Sequence, residues 1–79
     1  MSDNRHTLIS ELPEYKEKIH ELKMSNHHFA KQYSEYEDLD KEIHRIEIGE
    51  TPDSDQYLED LKKKRLALKD ELFHILKNS

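Results

Sequence analysis

Apolar residues repeat at spacings of three and four in two long stretches of the chain, one on each side of a short linker at residues 49–55. This spacing places the apolar side chains along one face of each predicted helix. When the chain is folded antiparallel about the linker, apolar positions meet apolar positions, and the acidic Asp40 meets the basic Arg65. The pattern therefore predicts an all-α fold: an antiparallel, coiled-coil-like helical hairpin with one ion pair in its seam. The predicted apolar seam consists of Phe29, Tyr33, Tyr36, Ile43, Ile46, Leu58, Leu61, Leu68, Leu72 and Ile75.

Capping and helix-breaking residues divide the pattern into three helices, at about residues 13–24, 27–47 and 54–77. Pro13 suits the first turn of a helix, where its missing N–H costs nothing. Gly49 is typical of a left-handed C-cap, and Pro52 prevents the second helix from continuing. Asp53 or Ser54 then serves as the N-cap of the third helix.

The junction between the first two helices is ambiguous at Ser25 and Asn26. Both residues are good N-caps and poor residues for a helix interior, which favours a kink or a break and a new helix from His27. The heptad phase nevertheless survives from Leu22 to Phe29, which also allows a continuous helix. We expect a shorter N-terminal helix that is kinked or broken at this point.

The third helix carries more apolar surface than one partner helix covers. Leu66 and Phe73 lie off the seam, and Leu39 raises the same question on the second helix. A bare two-helix hairpin buries too little apolar surface to be stable, so either the N-terminal helix folds back or a second chain packs on it. We expect self-association. The candidate interface residues are Tyr15, Ile19, Leu22, Leu39, Leu66 and Phe73.

The composition limits the chain to one small domain. It has 79 residues, of which 33% are hydrophobic and 39% charged, and it has no Cys for disulfides or thiol chemistry. We expect a flexible N-terminus at residues 1–11, although Leu8 and Ile9 can join an apolar stripe, and a single helical-hairpin domain at residues 12–79. No apolar run is long enough to span a membrane, and no signal peptide is evident, so we expect a cytoplasmic protein.

The net charge is −5, and the acidic and basic residues are concentrated in different stretches of the chain. Residues 34–60 hold eleven acidic and two basic residues, whereas residues 62–69 hold five basic residues and no acidic one. The basic run offers Lys62, Lys63 and Lys64 as nucleic-acid contacts. Charge matching across the hairpin is the alternative that we favour, with Lys62 opposite Glu42, Lys69 near Glu37, and Arg65 on Asp40.

Two stretches of the chain resemble the YdcH-like family of small bacterial proteins. They are HHFAKQYSEYEDLDKEIHRIE, at residues 27–47, and LKKKRLALKDELFHIL, at residues 61–76, and the segment PEYKEKIHELK is similar to the opening of that family. The resemblance covers about residues 13–77. It implies a cytoplasmic helical hairpin and no activity, because the family has no established function.

The sequence offers no arrangement of residues for catalysis or for a resident cofactor. No carboxylate pair, nucleophile with a base, or HExxH pattern is present, so we expect no enzyme, no cofactor and no metal site. His20, His27, His28 and His74 are interpreted as surface residues, with weak metal binding as the alternative.

These patterns together predict a non-enzymatic helical interaction module. We expect a homo-oligomer, dimeric or higher, that also binds an unidentified protein partner. The alternatives are an RNA- or DNA-binding regulator that uses the basic run, which the negative net charge disfavours, and a weakly metal-responsive protein.

Overall fold

Two long antiparallel helices form the centre of the fold, and a shorter N-terminal segment packs on them. The computed structural model describes residues 7–50 and 54–79, and those residues contain helices and connecting turns but no strand. The predicted all-α hairpin with a shorter N-terminal helix is therefore confirmed. The helices are α1 (Leu8–Glu11), a 3₁₀ turn (Pro13–Tyr15), α2 (Lys16–Ser25), α3 (His27–Glu47) and α4 (Asp55–Lys77).

The helical conformation is interrupted at Asn26, between α2 and α3. Its backbone is extended, with φ of −124° and ψ of 106°, and its Oδ1 accepts a hydrogen bond of 3.0 Å from the backbone N–H of Phe29. Of the two possibilities left open by the sequence, the break is correct. The capping bond outweighs the surviving heptad phase because it satisfies a backbone donor that a new helix start leaves open.

Helix α3 ends in a Schellman motif at Gly49. Gly49 has a φ of +81°, its N–H donates to the carbonyl of Ile46, and the N–H of Glu50 donates to the carbonyl of Arg45. Ser54 is the N-cap of α4, because its Oγ accepts a hydrogen bond of 3.2 Å from the N–H of Tyr57. The predicted roles of Pro52 and Asp53 lie outside the described residues.

The N-terminal segment, residues 7–25, differs from the prediction that residues 1–11 are flexible. Leu8–Glu11 forms one helical turn, capped by Thr7 Oγ1, which accepts a hydrogen bond from the N–H of Ser10. Leu8 is fully buried, and this burial holds the turn in place. A four-residue helix is too short to show a periodic pattern, so the sequence indicated only that Leu8 and Ile9 can join an apolar stripe. Residues 1–6 lie outside the described residues.

One hydrophobic core joins the N-terminal segment to one end of the hairpin. The N-terminal segment, α3 and α4 all contribute residues to this core, so the hairpin does not depend on its two long helices alone for apolar burial. The fully packed core members are Leu8, Ile19, Phe29, Tyr33, Tyr36, Leu72 and Leu76.

Candidate interaction surfaces of the hairpin

The ten residues predicted for the apolar seam lie on α3 and α4, and the extent of their burial varies along the two helices. Six of them are buried and four are half-buried. The buried members are Phe29, Tyr33, Tyr36, Ile43, Leu61 and Leu72. The half-buried members are Ile46, Leu58, Leu68 and Ile75.

Asp40 and Arg65 meet within the seam. Arg65 Nη1 donates to Asp40 Oδ1 at 3.0 Å, and the side chains are 1% and 16% exposed for Asp40 and Arg65 respectively. Two charges taken this far out of water are stable only when they are paired, because the loss of hydration is costly in a region of low dielectric. We therefore expect the pair to favour the alignment of the two helices in which Asp40 and Arg65 stand opposite each other.

Tyr36 lies one helical turn before Asp40 on α3 and is also buried. Burial, which is the largest cause, and the nearby Asp40 carboxylate raise the pKa of the Tyr36 phenol to about 12. The phenol therefore stays protonated well above neutral pH. It contributes packing and a polar group beside the ion pair.

One face of the hairpin, the covered face, lies under the N-terminal segment. The Tyr15 ring packs edge-on against Phe73, with ring centroids 5.8 Å apart and planes at 79°. Lys69 Nζ forms an ion pair with Glu11 Oε1 at 3.2 Å. Of the two ways to cover Phe73, the structure therefore shows the fold-back of the N-terminal segment within one chain.

The remaining candidate interface residues divide between this packing and the surface. Ile19 is fully buried, and Leu22 packs against the core. Leu66 remains 54% exposed and Phe73 37% exposed at the edge of the covered face. Leu39 is half-buried and faces a different part of the molecule.

A second face, the open groove, runs between α3 and α4. Lys64 of this groove and Leu66 of the covered face are two residues apart, about 200° around the helix, so the two surfaces point in nearly opposite directions. The groove has a volume of about 480 Å³ and an apolar floor with charged walls. Its lining residues are Glu35, Asp38, Leu39 and Glu42 from α3, and Lys64, Ala67 and Leu68 from α4.

The charges of the open groove are sorted by helix. The α3 wall carries Glu35, Asp38 and Glu42, whereas Lys64 is the charged lining residue of the α4 wall. Glu42 Oε2 accepts a hydrogen bond of 2.6 Å from the Tyr57 hydroxyl. Within residues 7–50 and 54–79, the side chains of Glu35, Asp38 and Lys64 make no ion pair or hydrogen bond.

Within the basic run, Lys62 and Arg65 pair with acidic residues, but two of the predicted charge partners were wrong. Lys62 pairs with Glu47 at 3.1 Å, and not with Glu42, which is bound by the Tyr57 hydroxyl. A lysine side chain is long enough to reach an acid more than one turn from the level position across the seam.

Lys69 was expected near Glu37 and instead pairs with Glu11. The N-terminal segment brings Glu11 to the covered face, an approach that the pattern of two helices does not contain. The four consecutive cations point around the whole helix and so do not form one basic surface.

The histidines do not converge on a common point. His28 and His74 line one shallow depression between α3 and α4, where Gln32 Nε2 also donates to Glu71 Oε1 at 2.5 Å. Among the described residues, no group of three or more His, Asp or Glu side chains is placed to hold a metal ion. In the same part of the chain, no helix is both long and apolar enough to cross a membrane.

The charged walls of the open groove were not predicted as one surface from the sequence. Relative to Leu39, an apolar residue that lies off the seam, the acidic residues are four before (Glu35), one before (Asp38) and three after (Glu42). This spacing places all three on the same face of the helix as Leu39. Ala67 and Leu68 complete the floor on α4. The signal was present in the spacing around Leu39, but the sequence analysis noted only the excess of acidic residues over residues 34–60.

A comparison with known protein families matches the hairpin part of the chain. Residues 29–76 match a family model described as "Protein of unknown function (DUF465)". The matched residues contain most of α3 and α4, and therefore the seam, the Asp40–Arg65 pair and the open groove, but they leave out the N-terminal segment. No curated protein and no solved structure matches the chain.

Proposed function

The chain belongs to the DUF465 family of proteins of unknown function, and we propose that it is a non-enzymatic interaction module that associates with itself through a helical surface. This family is the YdcH-like family that the sequence resembles, so the resemblance is confirmed. Because the family description assigns no activity, the proposal is supported by the surfaces of the hairpin alone.

The open groove is the observation that carries the proposal. The α3–α4 hairpin has apolar residues on both faces, and the N-terminal segment packs on one of them. On the other, Leu39, Ala67 and Leu68 form a floor that no other part of the described chain lines. A continuous apolar floor bordered by charged residues is typical of a surface that binds another protein, whereas single exposed apolar residues are ordinary.

Sedimentation velocity over a concentration series tests self-association. We expect the mass to rise from the monomer value of 9.6 kDa at low micromolar concentration toward twice that value at higher concentration. A constant mass of 9.6 kDa up to millimolar concentration contradicts the proposal. Circular dichroism on the same samples establishes that the chain is helical in both states.

Nucleic-acid binding is the second candidate function, and one observation favours it. Lys63 and Lys64 make no ion pair within the described residues, so they are available to phosphates. Lys62 and Arg65 are already engaged with acids of the same chain, and the net charge is −5. We therefore expect only non-specific binding, with a Kd of roughly 10⁻⁴–10⁻⁶ M at physiological salt. A Kd below micromolar that Lys63→Glu abolishes would reverse this order.

A further inference from the structure

The walls of the open groove carry opposite charges, and this limits how a second copy of the chain can dock there. Three carboxylates border the apolar floor on the α3 side, and the Lys64 ammonium borders it on the α4 side. Glu35, Asp38 and Lys64 have no partner among the described residues. A surface with an acidic half and a basic half is complementary to itself in one orientation only.

Two symmetric arrangements place the open grooves of two copies face to face. The two-fold axis lies in the contact plane in both, and it runs either across the helices or parallel to them. An axis across the helices stacks α3 on α3, which opposes two acidic walls. An axis parallel to the helices stacks α3 of each copy on α4 of the other, which opposes acidic and basic walls. Like charges facing each other at a contact are unfavourable, so the second arrangement is selected.

We propose that the open groove binds a second copy of this chain about a two-fold axis parallel to α3 and α4, with the acidic wall of each copy on Lys64 of the other. This inference rests on the proposed function, self-association, and adds the surface, the symmetry and the pairing. Each helix of the resulting four-helix bundle is antiparallel to both of its neighbours, and Leu39 and Leu68 of both copies become the core of the contact.

The register of the dimer follows from the Asp40–Arg65 pair. These two residues lie at the same position along the helix axis, on opposite sides of the seam. A rotation about a two-fold axis parallel to the helices leaves every residue at its position along that axis. The partner's Glu42 and the partner's Asp38 then lie on either side of Lys64, about 1.5 Å and about 4.5 Å away from it along the helix axis at a rise of about 1.5 Å per residue. Lys64 is thus bracketed by two carboxylates in each of two equivalent contacts.

Charge reversal with a matched control tests the surface. Lys64→Glu turns the groove fully acidic and should raise the dimer Kd by about tenfold or more in sedimentation. Lys63→Glu makes the same change of net charge at the neighbouring position, which does not line the groove, and should leave the Kd within about twofold. Both lysines are exposed, and circular dichroism of each variant verifies that the helices are retained.

Asp38→Lys distinguishes the two symmetries. With α3 on α4 it places a lysine against the partner's Lys64 and weakens the dimer, whereas with α3 on α3 it relieves acid–acid contacts and tightens it. An equimolar mixture of the Lys64→Glu and Asp38→Lys variants should associate more tightly than either variant alone, because each copy then supplies the charge that the other needs.

Each outcome bears on a different claim. A wild-type chain that stays monomeric overturns both the proposed function and this inference. A wild-type chain that associates while Lys64→Glu and Lys63→Glu behave alike leaves self-association standing and overturns the open groove as its surface. Dimers that Asp38→Lys tightens overturn the proposed symmetry.

Discussion

The two faces of the α3–α4 hairpin differ: the N-terminal segment packs on one of them, and the other is open within the described residues. The covered face is closed by the N-terminal segment of the same chain, with Tyr15 on Phe73 and Glu11 on Lys69. The open groove also has an apolar floor, but within the described residues nothing lies over it. A single hairpin thus completes its core on one side by itself and presents an apolar surface on the other.

Because the two faces differ in this way, substitutions on one should change the stability of the single chain, and substitutions on the other should change its self-association. Substitutions on the covered face should act on folding of the single chain, because they remove contacts that the chain makes with itself. Substitutions in the open groove should act on association and leave the monomer nearly unchanged. The seam, which both faces share, should show the largest effects on stability.

The largest expected effect is at the Asp40–Arg65 pair. Asp40→Leu or Arg65→Leu leaves one charge in the seam without its partner, which should lower the free energy of unfolding by about 3–5 kcal/mol. The double variant with Leu at both positions should recover much of this loss, because no unpaired charge remains. Thermal or urea unfolding of all four proteins at one low concentration measures the coupling. Strictly additive losses would show that the two side chains do not act together.

Alanine substitutions of Ile19 and Leu39 allow a direct comparison of the two faces. Ile19→Ala should cost about 3 kcal/mol, because Ile19 of the N-terminal segment is fully buried in the core that this segment forms with the covered face, and its truncation leaves a cavity. Leu39→Ala should cost less than about 1 kcal/mol in the monomer and should weaken self-association. Urea unfolding below the dimer Kd gives both values. Equal losses for the two variants would contradict the division between the faces.

Tyr36 gives the seam a pH dependence at alkaline pH. Its pKa is raised from 10.0 in the unfolded chain to about 12 in the folded one, so the unfolded state releases the proton first as the pH rises. Its contribution is fully present below pH 10 and is lost between pH 10 and about 12, amounting to about 2–3 kcal/mol. The slope of stability against pH in this window should be shallower for Tyr36→Phe than for the wild type. Parallel slopes would remove Tyr36 as the cause.

The Asn26 cap should have the smallest effect. Asn26→Ala removes the acceptor for the Phe29 N–H and should cost about 1 kcal/mol. Asn26→Ser restores an acceptor and should recover most of the loss. Hydrogen exchange of the first turn of α3 should accelerate in Asn26→Ala, and an unchanged rate would mean that the cap does not hold this end.

The seam was predictable from the sequence because both of its helices are long enough to show their periodicity. The seam pattern contains one acidic and one basic residue at positions that are otherwise apolar, and these two positions are opposite each other. Even the Asp40–Arg65 contact therefore followed from the spacing. Leu8 and the Lys69–Glu11 pair did not follow, because a one-turn helix has no period and its placement depends on tertiary packing. Asn26 stayed ambiguous because its capping preference and the heptad phase gave opposite indications.

Methyl NMR of the wild-type chain over a concentration series tests the difference between the faces most directly. Leu39 and Leu68 report on the open groove, and Leu66 reports on the covered face. We predict that the methyl signals of Leu39 and Leu68 shift as the concentration rises through the dimer Kd, while those of Leu66 stay in place. Shifts confined to Leu66, or no shift at any of the three while the sedimented mass rises, would contradict the account.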